Sequence, residues 1–286
     1  MSVRRAFAAI AVGLAWLGVS VTGQQAPPAS GARILLLPRK IVSGDRATLA
    51  VLDMNGRLTP GVSVAFSNGD HLKTDATGRA MFVAPLNAGV ISAGITGRPG
   101  KVYTTILNPT EASSETIEIA AAPRFASLSD RFELAGRGFC GDADANRVTL
   151  DGKSALVLAS SPTALLVLPP LDLVAGEARV EVNCAKRDAQ PFTVKFVALS
   201  LDADGSPLAP GDHRTLTVRV RGTMSKVSLE ARNLAPDIAE LSGGNPARVA
   251  SSGGTENSAE FQLVGKQRGN FVVSIHLLPN QSAPKR

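Results

Sequence analysis

Short runs that alternate hydrophobic and polar residues fill most of the chain. In the run from His213 to Gly222, Leu216, Val218 and Val220 fall on one face and threonine and arginine fall on the other. A period of two residues is typical of a β-strand with one buried face. Clusters of Gly, Pro, Asn and Asp separate the runs, as turns do. The pattern predicts an all-β fold of three tandem immunoglobulin-like β-sandwiches behind an N-terminal signal peptide.

The first predicted sandwich, residues 32–110, contains seven short strands and a strong turn signal at Asn55–Gly56. Its segment Thr74–Phe82, TDATGRAMF, resembles a motif of bacterial immunoglobulin-like domains of the invasin and adhesin type. In such a motif the aspartate caps a turn and the glycine takes a positive φ. We therefore expect Asp75 and Gly78 to form a turn and the strand after it to alternate into the core.

The middle predicted sandwich, residues 123–197, resembles the IPT/TIG family of immunoglobulin-like domains. Three pieces carry the resemblance: Gly136–Phe139 (GRGF), Val148–Gly152 (VTLDG) and Val167–Pro170 (VLPP). The resemblance implies a sandwich in which Phe139 plugs the end of a strand. Some members of that family contact DNA in transcription factors, and others are spacers in receptors and secreted glycosidases. A chain without a basic face is similar to the spacers.

The remaining segments complete the predicted order of domains. Residues 24–31 and 111–122 have the composition of linkers, although the second one merges into a strand. Residues 198–286 form the third predicted sandwich, with only a general immunoglobulin-like pattern. Within it, residues 233–257 are rich in Gly, Asn and Ser, and we expect at most a short strand near Ile238–Leu241. The rest is either a contact loop or a disordered crossover.

Residues 1–23 have the features of a signal peptide. Arg4 and Arg5 precede an apolar run from Ala6 to Val19, and the small residues before Gln24 suit a cleavage site. A buried helix or a retained anchor is the alternative, although the run is short for a membrane span. Export by the general secretory route or by the twin-arginine route both remain open. We expect an exported protein, periplasmic, on the cell surface or secreted, with no transmembrane anchor after cleavage.

The two cysteines, Cys140 and Cys184, suit an oxidising compartment. We expect a disulfide between them, which would contribute roughly 4 kcal/mol in the chain-entropy model. Two buried free thiols are the alternative. Two cysteines without a nearby histidine pair do not make a zinc site.

Charge and the candidate catalytic residues exclude several functions. The net charge is +6, but positive and negative residues alternate along the chain, so nucleic-acid binding has no support. The three histidines lie far apart in sequence, and we expect each to face solvent rather than to form a catalytic triad. Asp142, Asp144 and Asn146 have calcium-loop spacing, but Arg147 and Lys153 stand where an EF-hand needs glycine and glutamate. An EF-hand is therefore excluded, and a weak surface calcium site is the alternative. We predict no catalytic residue, metal or cofactor.

The sequence therefore predicts a non-enzymatic exported bacterial protein that acts in adhesion, scaffolding or protein interaction at the cell envelope. Its partner would be a protein or a glycan. The alternative function is that of a glycan-binding accessory protein, for which the mature chain supplies little aromatic surface, since Tyr103 is its only tyrosine. A hydrolase is the third alternative.

The exported protein should begin at Gln24. Intact-mass analysis of protein recovered from the periplasm or the medium tests this expectation, because removal of residues 1–23 gives one defined mass. A mass that retains those residues would contradict the predicted cleavage.

Overall fold

The structure is a computed structural model, whose description of the chain begins at Arg33. The residues it describes are 33–109, 116–202, 206–223, 225–233, 235–243, 247–249, 257–269, 271–278 and 281–282. The predicted signal peptide 1–23, the linker 24–31, residues 111–115 of the linker 111–122 and parts of the loop 233–257 lie outside these ranges. Within the described ranges, no helix has the length and apolar character needed to cross a membrane.

The described residues form strands joined by turns, together with one turn of 3₁₀ helix at Ala143–Ala145. Immunoglobulin-like sandwiches account for this all-β architecture, which confirms the predicted fold class. The strands are β1 (Ile34–Leu36), β2 (Lys40–Val42), β3 (Arg46–Leu52), β4 (Ser63–Phe66), β5 (His71–Lys73), β6 (Arg79–Val83), β7 (Gly89–Ile95), β8 (Val102–Leu107), β9 (Glu118–Pro123), β10 (Phe125–Ser127), β11 (Phe132–Arg137), β12 (Asn146–Leu150), β13 (Lys153–Ser161), β14 (Ala164–Leu168), β15 (Gly176–Cys184), β16 (Arg187–Asp188), β17 (Phe192–Asp202), β18 (His213–Arg221), β19 (Val227–Asn233), β20 (Ala239–Ser242), β21 (Ala247–Val249), β22 (Asn257–Gly265), β23 (Val273–Leu277) and β24 (Gln281–Ser282).

The first sandwich consists of β1 to β8, one strand more than predicted. One sheet has the order β1–β3–β6, and the other has the order β2–β8–β7–β4–β5. The extra strand is β2, which the prediction did not include and which pairs in parallel with β8. The predicted capped turn separates β5 from β6. The Asp75 carboxylate accepts the Thr77 N–H at 2.8 Å, and Gly78 has a φ of +78°. A Cβ at Gly78 would lie 2.5 Å from the backbone nitrogen of Thr59, so glycine is required there.

The middle sandwich consists of β9 to β16 and the first half of β17. Its long strand β13 pairs with β12 through its first residues and with β14 through its last residues, so it belongs to both sheets. The core is aliphatic apart from Phe132, Phe139, Phe192 and Phe196. Phe139 is 3% exposed, as expected for a strand-end plug. Strand β9 begins at Glu118, within the segment predicted to merge into a first strand, and it pairs with β11.

The third sandwich consists of the second half of β17 and strands β18 to β23. One sheet has the order β20–β22–β18–β17, and the other has the order β21–β19–β23. Strand β20 lies close to the short strand predicted near Ile238–Leu241. The prediction that the rest of residues 233–257 is loop was wrong at Ala247–Val249, where β21 pairs with β19. Pairing with a buried neighbouring strand stabilises this short segment despite its glycine-rich surroundings.

An apolar contact joins the first sandwich to the middle one. Alternate residues of β3 point away from the first core, and there Ala50 and Leu52 pack against Leu158 and Ala159 of β13. At one end of the contact, Thr48 of β3 pairs with Ser160 of β13, and both of their hydroxyls donate to the carbonyl of Gly141. The outer face of one sandwich is therefore buried by the outer face of the next.

Arg79, the first residue of β6, inserts its side chain into this contact. The guanidinium Nε donates to the carbonyl of Leu158 at 3.2 Å, and one terminal nitrogen donates to the carbonyl of Val157 at 2.7 Å. The other terminal nitrogen pairs with the Asp144 carboxylate at 2.9 Å. The two carbonyls lie where the register between β13 and β14 shifts. Arg79 is 6% exposed, and each of the three nitrogens of this buried guanidinium has an acceptor.

The second joint is a shared strand. Strand β17 runs for 11 residues, pairing with β15 of the middle sandwich through Phe192–Phe196 and with β18 of the third through Ala198–Asp202. The predicted boundary between residues 197 and 198 thus falls inside one strand. Gly222 packs closely beside it, because a Cβ there would lie 2.9 Å from the carbonyl oxygen of Phe196. Because a β-strand does not hinge at its centre, this joint is stiff.

Replacing Arg79 should destabilise the joint between the first two sandwiches. We expect Arg79→Ala to lower the free energy of unfolding by roughly 2–4 kcal/mol, since two buried carbonyls lose a charged donor. Arg79→Lys should recover only part of this loss, because an ammonium cannot reproduce the planar fork. Urea unfolding measures the effect, with the exposed Arg57→Ala as control. Equal stability of Arg79→Ala and Arg57→Ala would contradict the role of the fork.

Candidate functional site

The two cysteines form a disulfide in the structure, with Cα atoms 5.9 Å apart. Cys184 ends β15 and is fully buried, and Cys140 follows Phe139 in the loop after β11. Asn146 fixes this loop from inside, since its side-chain amide donates to the carbonyls of Cys140 at 2.9 Å and Asp142 at 2.7 Å. The same loop contacts the first sandwich through Gly141. The disulfide therefore supports the joint between the first two sandwiches.

The residues with calcium-loop spacing are occupied by structural contacts. The Asp142 side chain caps the 3₁₀ turn by accepting the N–H of Asp144, and Asp144 pairs with Arg79. The Asn146 side chain points into its own loop. Among the described residues, no group of three or more His, Cys, Asp or Glu side chains is arranged to hold a metal ion. This loop therefore acts as part of a joint between sandwiches.

The three histidines do not come together in the structure. His71 on β5 and His213 on β18 are exposed, as expected. The expectation that each histidine faces solvent was wrong for His276, whose side chain is only 29% exposed. His276 lies on β23 and points towards the middle sandwich. It contacts a carboxylate 146 residues earlier in the sequence, which no local pattern predicts.

His276 lies in a polar cleft of about 210 Å³ to which all three sandwiches contribute, here called the junction cleft. The charged and histidine side chains that line it are Arg39, Asp130, Arg131, Glu133, Glu230, Arg232 and His276. The imidazole Nδ1 of His276 lies 2.9 Å from a carboxylate oxygen of Asp130. The other oxygen of Asp130 accepts the backbone N–H of Arg131 at 2.8 Å. Arg39 of the first sandwich pairs with Glu133 of the middle one at 3.2 Å.

Two of the three carboxyls that line the junction cleft, those of Asp130 and Glu133, have pKa values shifted in opposite directions. Burial raises the pKa of Asp130, but the hydrogen bond with His276 and the charge and backbone N–H of Arg131 outweigh burial, so the pKa lies below its ordinary value. Burial also raises the pKa of Glu133, and the charges of Arg39 and Lys40 offset this only in part. Asp130 is therefore a stable anion, whereas Glu133 is a poorly solvated one.

His276 also contacts a serine, so three side chains form a chain of hydrogen bonds. Its Nε2 lies 2.9 Å from the hydroxyl oxygen of Ser274, on the same face of β23. Serine, histidine and aspartate in this order resemble the constellation of serine hydrolases. Such catalysis also needs N–H donors for an oxyanion. The N–H of Leu278 donates to the carbonyl of Ser228 on β19. Because N–H directions alternate along a strand, the N–H of Ser274 on β23 also faces β19, where it cannot serve as an oxyanion donor.

The geometry thus favours a structural role for the Asp130–His276 pair. The Ser274 hydroxyl also donates to the carbonyl of Arg232 at 3.4 Å, and Ser274 is not among the residues that line the junction cleft. The pair instead connects β23 of the third sandwich to the loop after β10 of the middle sandwich. It adds a side-chain contact to the joint already made by β17.

The Asp130–His276 pair should stabilise the protein except in acid. Because folding lowers the pKa of Asp130 below its ordinary 3.8, its contribution is present above that pH and disappears as pH falls through the lowered value. We expect Asp130→Asn to cost about 1 kcal/mol at neutral pH and progressively less below pH 4. Urea unfolding across this range measures it, with the exposed Asp172→Asn as control. A cost that stays constant into strong acid would contradict the assignment.

The comparisons with known proteins concern the fold and assign neither a family nor a function. No family model and no curated protein matches the chain. Among solved structures it is similar to invasin, a bacterial integrin-binding protein, at 18% identity and a TM-score of 0.22, over 88% of this chain and 59% of invasin. It is also similar to a Bacteroides ovatus glucan-utilisation protein, SGBP-B, solved with a mixed-linkage heptasaccharide, at 12% identity and a TM-score of 0.29, over 83% and 73%.

The extracellular region of plexin A4 matches at 12% identity and a TM-score of 0.33, over 89% of this chain and 33% of plexin. The chain thus spans less than two thirds of the invasin and plexin chains that it matches. These similarities accompany an immunoglobulin-like fold and assign no family. The resemblances of residues 123–197 to IPT/TIG domains and of Thr74–Phe82 to adhesin domains therefore stay predictions.

Proposed function

We propose that this chain is a non-catalytic exported protein of the bacterial cell envelope, or a secreted one, whose immunoglobulin-like modules act in adhesion, scaffolding or protein interaction. The observation that carries this proposal is the stiff coupling of three sandwiches. Arg79 and the apolar contact fix the first joint, and β17 and the Asp130–His276 pair fix the second. Loops on different sandwiches are thereby held at constant spacing.

Such coupling favours binding to a large partner at several points. A partner that contacts two sandwiches at once does not have to restrict a flexible linker, so less entropy is lost on association. If each sandwich bound a partner independently of the others, a buried arginine between two of them would have no function. Rigid spacing is thus useful for a scaffold or an adhesin, whose task is to hold surfaces apart or together.

The surface of the middle sandwich offers one apolar contact point. The loop between β14 and β15 exposes Leu171 completely and Val174 to 76%. Two large aliphatic side chains on the same loop form a small patch that a protein partner can cover. The charged side chains nearby include Lys153, which pairs with Asp172. An apolar centre within a polar rim is typical of protein interfaces.

Glycan binding is the second candidate, and one observation favours it. Tyr103, the only tyrosine, is 62% exposed on β8, opposite Ser92 of β7. An exposed aromatic ring on a flat sheet is a surface on which a sugar ring can stack. Only one such ring is present in the mature chain beyond the mostly buried phenylalanines, so a glycan would depend on hydrogen bonds from loops.

The proposed export rests on the predicted signal peptide, residues 1–23, and the disulfide agrees with it. A bond between Cys140 and Cys184 persists in an oxidising compartment and is rarely kept in the cytosol. The proposal that the protein is not an enzyme rests on the backbone around Ser274, whose N–H faces a neighbouring strand. Together these features support a binding role outside the cytoplasm.

Binding of the immobilised mature chain to cell-envelope extract tests the proposed function. Untreated extract, protease-treated extract and periodate-oxidised extract are compared for saturable binding. We expect protease to abolish binding and periodate, which destroys glycans, to leave it unchanged, because the proposed partner is a protein. Loss on periodate treatment alone would favour the glycan candidate instead.

Two outcomes would contradict the proposal. One is the absence of saturable binding to any extract. The other is hydrolysis of p-nitrophenyl acetate by the mature chain that His276→Ala abolishes and His213→Ala leaves intact. His213 is a suitable control because it is an exposed histidine on another strand of the same sandwich.

A further inference from the structure

The first two sandwiches close one sheet in the same way. In the first, β7 pairs antiparallel with β8, and β8 pairs in parallel with β2 from the start of the sandwich. In the middle one, β15 pairs antiparallel with β17, and β17 pairs in parallel with β10. In both, a last strand therefore covers the edge of the strand before it and seals the core.

The third sandwich lacks this closure within the described residues. Strand β23 holds the position of β7 and β15, and it pairs with β19 on one side. No described strand pairs with its other side. Gln281 and Ser282 pair with β9 of the middle sandwich, so these two residues do not cover that side of β23. Among the described residues, the edge of β23 that a last strand covers elsewhere is thus without a partner strand.

An apolar groove lies beside the start of β23. It has a volume of about 770 Å³, and its apolar lining includes Leu201, Leu208, Ile238, Leu263, Phe271 and Val273. Every residue of β23 is only partly buried, whereas the inward residues of β15, such as Val180 and Val182, are almost completely buried. The core of the third sandwich therefore remains accessible along this side.

We infer that this open edge accepts a β-strand from a second polypeptide, which completes the third sandwich by strand addition. The inference rests on the proposed function and specifies the kind of partner. The other two sandwiches show what the occupant looks like: an extended segment of about six residues with inward side chains at every second position. In β17 those inward residues are Phe192, Val194 and Phe196, all at least 96% buried.

Charge and direction restrict the occupant further. Arg214 and Arg268 are the charged side chains among the described residues that line the groove, so a carboxylate on the occupant would be attracted there. A strand antiparallel to β23 brings its C-terminal end to Val273, the residue of β23 that lines the groove. The partner segment therefore has alternating apolar residues followed by an acidic residue.

The backbone of β23 defines which amides the occupant would cover. Leu278 donates its N–H to Ser228 on the side of β19. Since N–H directions alternate along a strand, the N–H groups of Leu277, Ile275 and Val273 point to the open edge. Binding of a strand should slow the hydrogen exchange of these three amides.

A peptide that imitates the closing strand of the middle sandwich tests the inference. The fluorescent peptide FTVKFVE copies Phe192–Val197 and adds a C-terminal glutamate, and an N-methylated peptide with the same side chains is the control because it cannot donate hydrogen bonds. Anisotropy measures binding to the mature chain. We expect the first peptide alone to bind, with slower exchange at Val273, Ile275 and Leu277.

Variants of the chain locate the site. Leu208→Asp places a carboxylate in the groove and should weaken peptide binding by roughly tenfold or more, whereas Leu86→Asp, at an exposed leucine in the loop between β6 and β7 of the first sandwich, should not. Hydrogen exchange of β18 and β22 shows whether Leu208→Asp remains folded. If Leu208→Asp unfolds, the hydrogen-exchange pattern of β23 in the unaltered chain is the measurement that locates the peptide.

Three results would overturn the inference: equal binding of both peptides, protection elsewhere than β23, or concentration-dependent dimerisation that protects β23 without peptide. The last would make a second copy of the chain the occupant. The proposed function fails separately, through the extract experiment. If Leu208→Asp leaves binding to the extract unchanged, the proposed function stands and this site is rejected. If the peptide binds but no extract component does, this site stands and the proposed function is rejected.

Discussion

The fixed geometry of the molecule depends on the buried guanidinium of Arg79. A cation taken out of water costs several kcal/mol unless every donor finds an acceptor in good geometry. Here the acceptors are the carbonyls of Val157 and Leu158 and the carboxylate of Asp144, all on the middle sandwich. A small rotation between the sandwiches would break these bonds while leaving the cation buried. The arginine therefore selects one relative orientation, which apolar contact alone would not do.

The two joints resist motion for different physical reasons. The first depends on side chains, and the disulfide loop takes part in it because the carbonyl of Gly141 accepts from Thr48 of one sandwich and Ser160 of the other. The second depends on the backbone, since β17 is hydrogen-bonded into both of its neighbours. Side-chain joints are lost by single substitutions, whereas a shared strand is not. The first joint is thus the more vulnerable of the two, and it is the one that a covalent bond supports.

Local features of the fold were predictable from sequence, and contacts between distant segments were not. The turn from Asp75 to Gly78 follows from residues within one turn, and the burial of Ala80 and Phe82 follows from a period of two. The same period places Arg79 only on the face opposite to Ala80 and Phe82 and does not predict its burial, since its carbonyl acceptors lie almost 80 residues later. Likewise, His276 meets Asp130 only because β23 and the loop after β10 become neighbours in the folded chain. Such pairs depend on the arrangement of the sandwiches, which alternation does not specify.

An open strand edge is a liability, because unpaired N–H and C=O groups invite uncontrolled association. Strand β23 is restrained despite this, since His276 and Ser274 on its outer face form hydrogen bonds with Asp130 and Arg232. Its inner face contributes Val273, Ile275 and Leu277 to the core. Both faces are therefore held while one edge stays available. A strand anchored in this way binds an incoming segment without first having to order itself, so the junction cleft contributes to recognition by fixing the edge beside it.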